Sequence, residues 1–423
     1  MPSRTKPIEA DVLVVGAGPA GSAAAHHLAR RGIDVLLIER AAFPREKACG
    51  DGLSPRAVRA LLKMDVGPDE PGFERVIGIR TYSRTTTIEL PFPELEDFPN
   101  YGLTCKRMDL DELLARRAEK AGARLMERTE AVGVVRRDGW VTGASVRPLE
   151  DGEDAPPVEA RARFVIASDG ASSKLGTQAG VRRVARCPLG IAARRYYRIP
   201  RHPGPWFESW VDLWEADSQL PGYGWLFPLA DGTVNLGAGL LDTFKGFKDI
   251  SAQRLFAAFA KMMPESWGVS EETAVGHVLS GPLPMGFNRA PSAVPGMLLI
   301  GDAAGMVNPF NGEGIAYAME SGAMAAETIV QALGRATLAG RERALEGYPL
   351  ALKQEYGGYF TLGRVFVKLI GNPNVMKVAT RHGLPHPTLM RLTLKLLANL
   401  TDPSDGDAMD RVINALTKVA PAA

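Results

Sequence analysis

Two glycine-rich elements near opposite ends of the chain have the residue types and spacing for chemistry: GAGPAG at residues 16–21 and GDAAGMVNPFNGEGI at residues 301–315. The first follows the apolar run 11–15 and precedes the Ala-rich stretch 22–31, where a strand is expected to turn into a helix. In that setting Gly16 permits the tight turn, Gly18 lets the backbone approach a pyrophosphate, and Gly21 allows close helix packing, while the helix N-terminus stabilises the anion. Glu39 closes the next apolar run, 35–38, at the spacing of a carboxylate that accepts hydrogen bonds from a ribose. Glycine-rich turns also occur without a ligand, and Glu39 weighs against that reading here. Together the two elements predict one dinucleotide gripped from both sides, and the predicted cofactor is FAD.

Composition bounds what must position these residues. A chain of 423 residues, 45% hydrophobic and 23% charged, buries a large core and has the length of two or three folding units. A formal net charge of +2 gives no ground for a nucleic-acid partner. Cys49, Cys105 and Cys187 form no CxxC pair and no disulfide framework, which fits a reducing compartment; no metal site is expected. The N-terminal residues run into the first strand without a signal-like apolar region, and no apolar run has the length of a membrane span. The expectation is a cytoplasmic protein, neither secreted nor integral to a membrane.

Strand and helix patterns alternate as in a doubly wound α/β core with insertions. Helices are expected over 55–64, over 110–121 starting near Asp109 and ending at Gly122, and over 313–333. Strands are expected over 132–146 and 158–166, joined by the acidic loop 150–157, and over 297–300. Residues 187–284 are aromatic and β-rich, with Trp206, Trp210, Tyr223 and Trp225 among them. The predicted organisation is a discontinuous FAD-binding domain (1–80, 104–186 and 285–335), a substrate-binding domain (81–103 and 187–284) and a helical C-terminal region (336–423).

Several motifs in order carry a resemblance: GAGPAG, FPREKACGDGL (43–53), RMDLD (107–111), ASDGASS (167–173), LPGYGWLFP (220–228) and LLIGDAAGMVNPFNGEGI (298–315). The chain resembles the geranylgeranyl reductase family of FAD-dependent oxidoreductases over most of its length, and within it the bacterial menaquinone reductases. MRLTLKLLANLTD (390–402) is similar to the end of that branch. The resemblance implies a mixed α/β fold: a Rossmann-like FAD-binding domain of the aromatic-hydroxylase type, an inserted antiparallel β-sheet substrate domain and a helical C-terminus. It implies FAD binding by Gly16, Gly18, Pro19, Ala20 and Gly21, by Glu39 and Arg40, and by Cys49, Gly50, Asp51 and Gly52. Arg107, Asp169 and Gly170 are implied as well, with Gly301, Asp302, Pro309, Gly312, Glu313, Gly314 and Ile315.

Each of these has a plainer alternative. Arg107, expected just ahead of a helix and toward the pyrophosphate, reads otherwise as a surface arginine at a helix start. Asp169 and Gly170 read otherwise as a strand-ending turn, and Asn311 as a helix cap. Gly312 and Gly314 let the backbone approach the flavin, whose N1 and O2 would face the next helix N-terminus.

The activity implied is saturation of an isolated trisubstituted alkene in a polyprenyl lipid, most simply the isoprenoid tail of menaquinone. With no carbonyl beside the double bond, protonation of the less substituted carbon coupled to hydride delivery at the tertiary carbon is expected in a dry pocket. The proton donors considered are Cys49, Asp51, Tyr223 and an ordered water; catalytic roles are expected for Cys49, Asp51, Tyr223 and Trp225. Cys49 reads otherwise as a buried thiol. Tyr223, Trp225 and Phe227 alternate, so on a strand they share one face and line an apolar channel or, alternatively, pack in a core. No second GxGxxG follows a strand, so electrons are expected from a transient donor: NAD(P)H, ferredoxin or reduced flavin.

Between residues 359 and 400 apolar residues accompany Arg364, Lys368, Lys377, Arg381, Arg391 and Lys395 with no acid between them. Such helices lie on an anionic membrane surface, here the inner face of the cell membrane, or else pack on the core with solvated basic edges. Three alternatives to menaquinone reduction stand: geranylgeranyl diphosphate or geranylgeranyl-lipid reduction, a flavin-dependent monooxygenase or halogenase, and a noncatalytic flavin-bound lipid carrier. A halogenase would carry WxWxIP and a suitably placed lysine, where this chain has YGWLFP.

Overall fold

The computed structural model describes residues 7–84, 86–152, 155–200, 203–215, 218–244, 246–402 and 406–421. The chain opens on β1 (Ile8–Val15), turns through GAGPAG into α1 (Pro19–Ala29) and returns as β2 (Val35–Ile38). Residues 12–15 and all of β2 are buried on both faces, which is why they read as unbroken apolar runs. α2 (Pro55–Leu62) starts at Ser54, whose hydroxyl accepts from the Ala57 amide, with Pro55 in the first helical position. β3 (Gly78–Tyr82) and β4 (Thr87–Pro91) then pair in a second sheet, so the boundary expected between 80 and 81 falls inside β3.

α3 (Arg107–Lys120) begins earlier than expected, which makes Arg107 its first residue rather than one ahead of it. Gly122, at φ +113°, follows the C-cap Ala121 and lets the chain turn into β5 (Arg124–Met126). The strand expected over 132–146 is two strands, β6 (Thr129–Arg137) and β7 (Trp140–Pro148). Asp138 and Gly139 take φ of +50° and +81°, closing a two-residue hairpin of the kind Asp-Gly favours. β8 (Val158–Ala167) pairs antiparallel with β7 across the acidic loop, whose residues 153 and 154 lie outside the described residues. α4 (Lys174–Gln178) follows.

The aromatic stretch supplies β9 (Leu189–Tyr197), β10 (Trp206–Trp210), β11 (Tyr223–Pro228), β12 (Val234–Leu241), α5 (Ala252–Met262) and β13 (Ala274–Pro284). β14 (Ala293–Val294) and β15 (Met297–Leu299) return to the first sheet. The chain ends in α6 (Ile315–Leu333), α7 (Leu338–Ile370), α8 (Pro373–Val378), α9 (Pro387–Ala398) and α10 (Ala408–Val419).

Among the described residues the first sheet has eight strands, in the order β14-β15-β8-β1-β2-β5 with β7 and β6 branching from β8. β15, β8, β1, β2 and β5 run parallel, and Val15 lies between Ile38 and Ala167. The second sheet has seven strands in the order β13-β9-β12-β11-β10-β3-β4. Its pairings are antiparallel, as expected, except that Trp206 to Trp210 of β10 run parallel to β3. The reason is topological: the chain visits the first sheet between those strands, so no hairpin joins them.

Small residues bring the layers together. A Cβ on Gly322 of α6 would lie 2.5 Å from the Ala20 carbonyl oxygen, so α1 and α6 approach at backbone distance. On one side of the second sheet Leu255, Phe256 and Phe259 of α5 pack with Leu226 and Leu236. Elsewhere Leu394 and Ala398 of α9 share a core with Phe92 and Phe207.

Candidate active site

One cavity of about 1220 Å³ runs from the GAGPAG loop past residues 45–52 to the faces of β11 and α9. Gly16 has φ +99°, and a Cβ there would meet the Ser168 carbonyl oxygen at 2.5 Å. Gly18 is different: a Cβ would meet only Arg45 Nη2, at 3.7 Å, so its bareness serves the cavity rather than the packing. No side chain among the described residues caps α1 at Gly18 or α6 at Gly314. Both helix N-termini border this cavity with unsatisfied amides and the positive end of the dipole, a setting for an elongated anionic ligand.

Every residue expected to hold the cofactor lies on the cavity wall except Gly21 and Gly301. Those two stand behind it: a Cβ on Gly21 would fall 1.9 Å from the Gly16 carbonyl oxygen, and one on Gly301 2.9 Å from Ala20 Cβ. Their place is fixed by backbone packing. Glu39 accepts from the Ala17 amide at 3.0 Å, the Ala41 amide at 3.1 Å and Arg45 at 3.3 Å, so its carboxylate braces the loop it faces. Arg40 is exposed, 3.7 Å from Glu130.

Arg107 lines the cavity and is anchored by an acid of its own helix. Its Nε and Nη2 fork onto Asp111 at 2.7 and 2.8 Å, and its guanidinium also touches the Cys49 sulfur. Arg45, from FPREKACGDGL, shares Asp111 at 2.9 Å and stands beside Glu39 and Gly18; sequence reasoning passed over it although the motif contained it. Asp169 braces the start of α4, accepting from Oγ of its N-cap Ser173 at 2.5 Å and from the Leu175 amide at 3.1 Å, while Gly170 at φ +79° faces Lys47. Burial raises the Asp302 carboxyl, with Lys47 and Arg107 opposing. Asn311 accepts from the Glu313 amide at 2.9 Å and is not the helix cap, which is Gly314. Glu313 accepts from Ser54 Oγ, its Oε2 is buried with no partner among the described residues, and burial pushes its carboxyl up to about 7.

The CGDG loop holds the densest polar network. Asp51, fully buried at φ +64°, accepts from the Arg107 amide at 3.2 Å, Tyr196 hydroxyl at 2.7 Å and Asn235 amide at 2.8 Å. Burial pushes it up to about 6, opposed by Asn235, Tyr196, Arg194 and Arg107. Cys49 Sγ accepts from the Asp51 amide at 3.3 Å. Burial raises its thiol, partly offset by Arg107, so the proton stays on sulfur at neutral pH. Tyr196 and Asn235 escaped sequence reasoning; the one available signal was a polar residue in the apolar run VNLGAGLL.

Tyr223, Trp225 and Phe227 share one face of β11 and all line the cavity, with successive ring centroids 5.8 and 6.4 Å apart. Tyr223 lies 3.5 Å from the Asn311 carbonyl oxygen, and burial pushes its phenol up to about 12. Beyond Phe227 the wall is hydrocarbon, from Phe92, Phe207, Leu394 and Leu397. The arrangement places a polar cradle for a dinucleotide at one end of a cavity and an apolar lining at the other.

Comparisons with known proteins agree with this geometry. The family described as FAD binding domain matches residues 9–191. The chain is 37% identical over 404 residues to the menaquinone reductase of Mycolicibacterium smegmatis, covering 95% of each protein. It is 32% identical over 327 residues to the digeranylgeranylglycerophospholipid reductase of Thermoplasma volcanium, covering 76% of this chain and 78% of that one. Its fold matches the crystal structure of a geranylgeranyl bacteriochlorophyll reductase-like protein from Thermoplasma acidophilum, with a TM-score of 0.78 and 24% identity over 97% of this chain and 100% of that one.

Proposed function

Because the chain belongs to the geranylgeranyl reductase family of FAD-dependent oxidoreductases, we propose that it saturates an isolated C=C bond of a polyprenyl chain, with the isoprenoid tail of menaquinone as substrate. The observation that carries this reading is the continuity of one cavity from the dinucleotide cradle, past Cys49 and Trp225, to the hydrocarbon wall of Phe207 and Leu394. Bound FAD supplies the electron pair for the reduction. The aromatic face of β11 and the apolar wall exclude water from the cation that develops as the alkene is protonated.

Two of the candidate acids differ in what their partners leave free. Asp51 accepts three hydrogen bonds and serves to anchor its loop. Cys49 lines the cavity, and its sulfur accepts from the Asp51 amide and meets the Arg107 guanidinium, so its own hydrogen is not needed for either contact. On this reading Cys49 Sγ gives its proton to the less substituted alkene carbon, and Arg107 stabilises the thiolate until solvent returns a proton.

The protein works at the anionic inner surface of the cell membrane. No helix among the described residues is long and apolar enough to cross a bilayer. Lys368, Lys377, Arg381 and Arg391 are exposed, and beside them Val365, Leu369, Val378 and Leu389 present exposed apolar surface. Arg364 and Lys395 do not belong to that face: Arg364 bonds the Gly286 carbonyl, and Lys395 is buried against Asp407 and Asp410. Sedimentation with anionic vesicles that weakens with salt is expected, and equal recovery in the supernatant with and without vesicles would refute it.

The deciding assay incubates reduced, FAD-loaded protein anaerobically with menaquinone and follows product mass. A gain of two hydrogens supports the proposal. Reduction of a digeranylgeranyl lipid alone moves the substrate, oxygen-dependent addition makes the protein a monooxygenase or halogenase, and no change with either lipid leaves a flavin-bound carrier.

A further inference from the structure

We infer that Asn235 is a positioning residue that locks the Cys49–Asp51 loop and the Trp225 indole into one unit at the cavity wall, an inference that rests on the reductase reading above. Asn235 is the only polar residue of β12 and is fully buried. Its Oδ1 accepts from Trp225 Nε1 at 3.0 Å, and its Nδ2 donates to the Cys49 carbonyl oxygen and to Asp51 Oδ2, both at 2.8 Å. An indole N–H only donates, while a carbonyl and a carboxylate only accept, so the amide has one orientation that satisfies all three. A buried amide is costly unless so satisfied, and here both of its hydrogens and its oxygen are used.

The neighbouring glycines tighten the same assembly. A Cβ on Gly237, two residues along β12, would lie 2.1 Å from Trp225 Cζ2, and one on Gly50 would lie 3.2 Å from Trp225 Nε1. The indole therefore occupies a slot between the loop and the strand, with Asn235 bonded to its edge. Through Cys49 O and Asp51 Oδ2 the same side chain fixes both flanks of Gly50, and with them the direction of the Cys49 thiol. Tyr196 and the Arg107 amide hold Asp51 from other sides, but neither is bonded to Trp225.

The test compares wild type with Asn235→Asp, which keeps an acceptor for the indole but loses the amide donors, and Asn235→Leu, which loses both. With FAD loaded, turnover on the polyprenyl substrate is expected to fall about ten-fold or more with KM within about two-fold, since the loss is of orientation. The acidic limb of the rate profile moves to higher pH, because a donor that favours ionised Asp51 has gone. Iodoacetamide labelling of Cys49, read by peptide mass, changes several-fold in rate. Wild-type labelling and an unmoved pH profile in both variants would overturn the inference. If neither variant folds with FAD, Trp225→Phe decides: removing only the indole donor should also alter Cys49 labelling, and an unchanged rate overturns the inference. Should the wild type reduce no polyprenyl lipid, the functional reading fails, while the labelling comparison still judges Asn235.

Discussion

Tyr196 donates its phenolic hydrogen to Asp51 Oδ2 at 2.7 Å, joining positions 145 residues apart. The bond fastens β9 of the second sheet to the loop that follows β2 of the first. Arg194, two residues earlier on the same strand, stacks 4.1 Å over the Tyr196 ring and donates to Glu46 and the Lys47 carbonyl. The loop over residues 46–51 is thus held along its length by the second sheet.

The burial of Asp51 has a pH consequence, which the Tyr196 bond only partly offsets. Burial raises the Asp51 carboxyl from 3.8 to about 6 in the folded protein. An acid that holds its proton more tightly when folded contributes stability below about pH 4, and that contribution is lost as pH rises through about 6, by roughly 3 kcal/mol for two units. The melting temperature of Asp51→Asn minus that of wild type should therefore increase between about pH 4.5 and 7.5, whatever constant offset the new amide brings. A difference that stays flat or falls contradicts the assignment.

Glu313 titrates in the range where flavin spectra are easily followed. Its unpartnered Oε2 borders the cofactor end of the cavity, and burial brings its carboxyl up to about 7. The visible spectrum of bound FAD should show a step near that pH in wild type and lose it in Glu313→Gln. Persistence of the step in the variant places the ionisation elsewhere.

Gly237→Ala tests the slot for Trp225. A methyl group 2.1 Å from the indole must push the ring or the strand aside, an overpacking cost of about 1–3 kcal/mol, and should lower turnover as well. Gly67→Ala is the control, since a Cβ there meets nothing within 4 Å. Equal melting temperatures and rates for the two variants would show that Trp225 is free to move.

Charge reversal separates the outward basic residues from the inward ones. Lys368→Glu with Arg391→Glu should weaken binding to anionic vesicles by about 1 kcal/mol per lysine or arginine lost, with little change in melting. Lys395→Met should instead lower the melting temperature, because it strands Asp410, which is buried against it at 2.7 Å. Vesicle binding unaffected by the double reversal removes this face from the membrane contact.

Much of this site was legible in the sequence because its backbone roles require particular residues. Gly16 needs a positive φ, and the aromatic alternation of β11 needs only a period of two. What stayed hidden depends on contacts between distant segments. Nothing local in RRYYR marks Tyr196 as a partner of Asp51, and the Arg107 fork onto Asp111 appears only once the helix is known to start at Arg107. The Asp138–Gly139 turn was a different kind of omission: the dipeptide was a readable hairpin signal inside a run taken as one strand. In the C-terminal third composition alone could not tell which cations face outward, since Lys368 and Lys395 sit in similar apolar surroundings but only Lys395 meets two acids from the next helix.

The strand order of the first sheet also sets a timetable for biosynthesis. β1 is made first, yet its neighbour β8 ends at residue 167 and the next strand, β15, ends at residue 299. The second gripping element follows at once, at residues 301–315. A ribosome must therefore release some three hundred residues before the nucleotide cradle can close, and the early βαβ unit waits at both edges, β2 for β5 and β1 for β8. Such long-range pairing slows folding and exposes unpaired strand edges in the meantime, with cofactor capture deferred until most of the chain has been made.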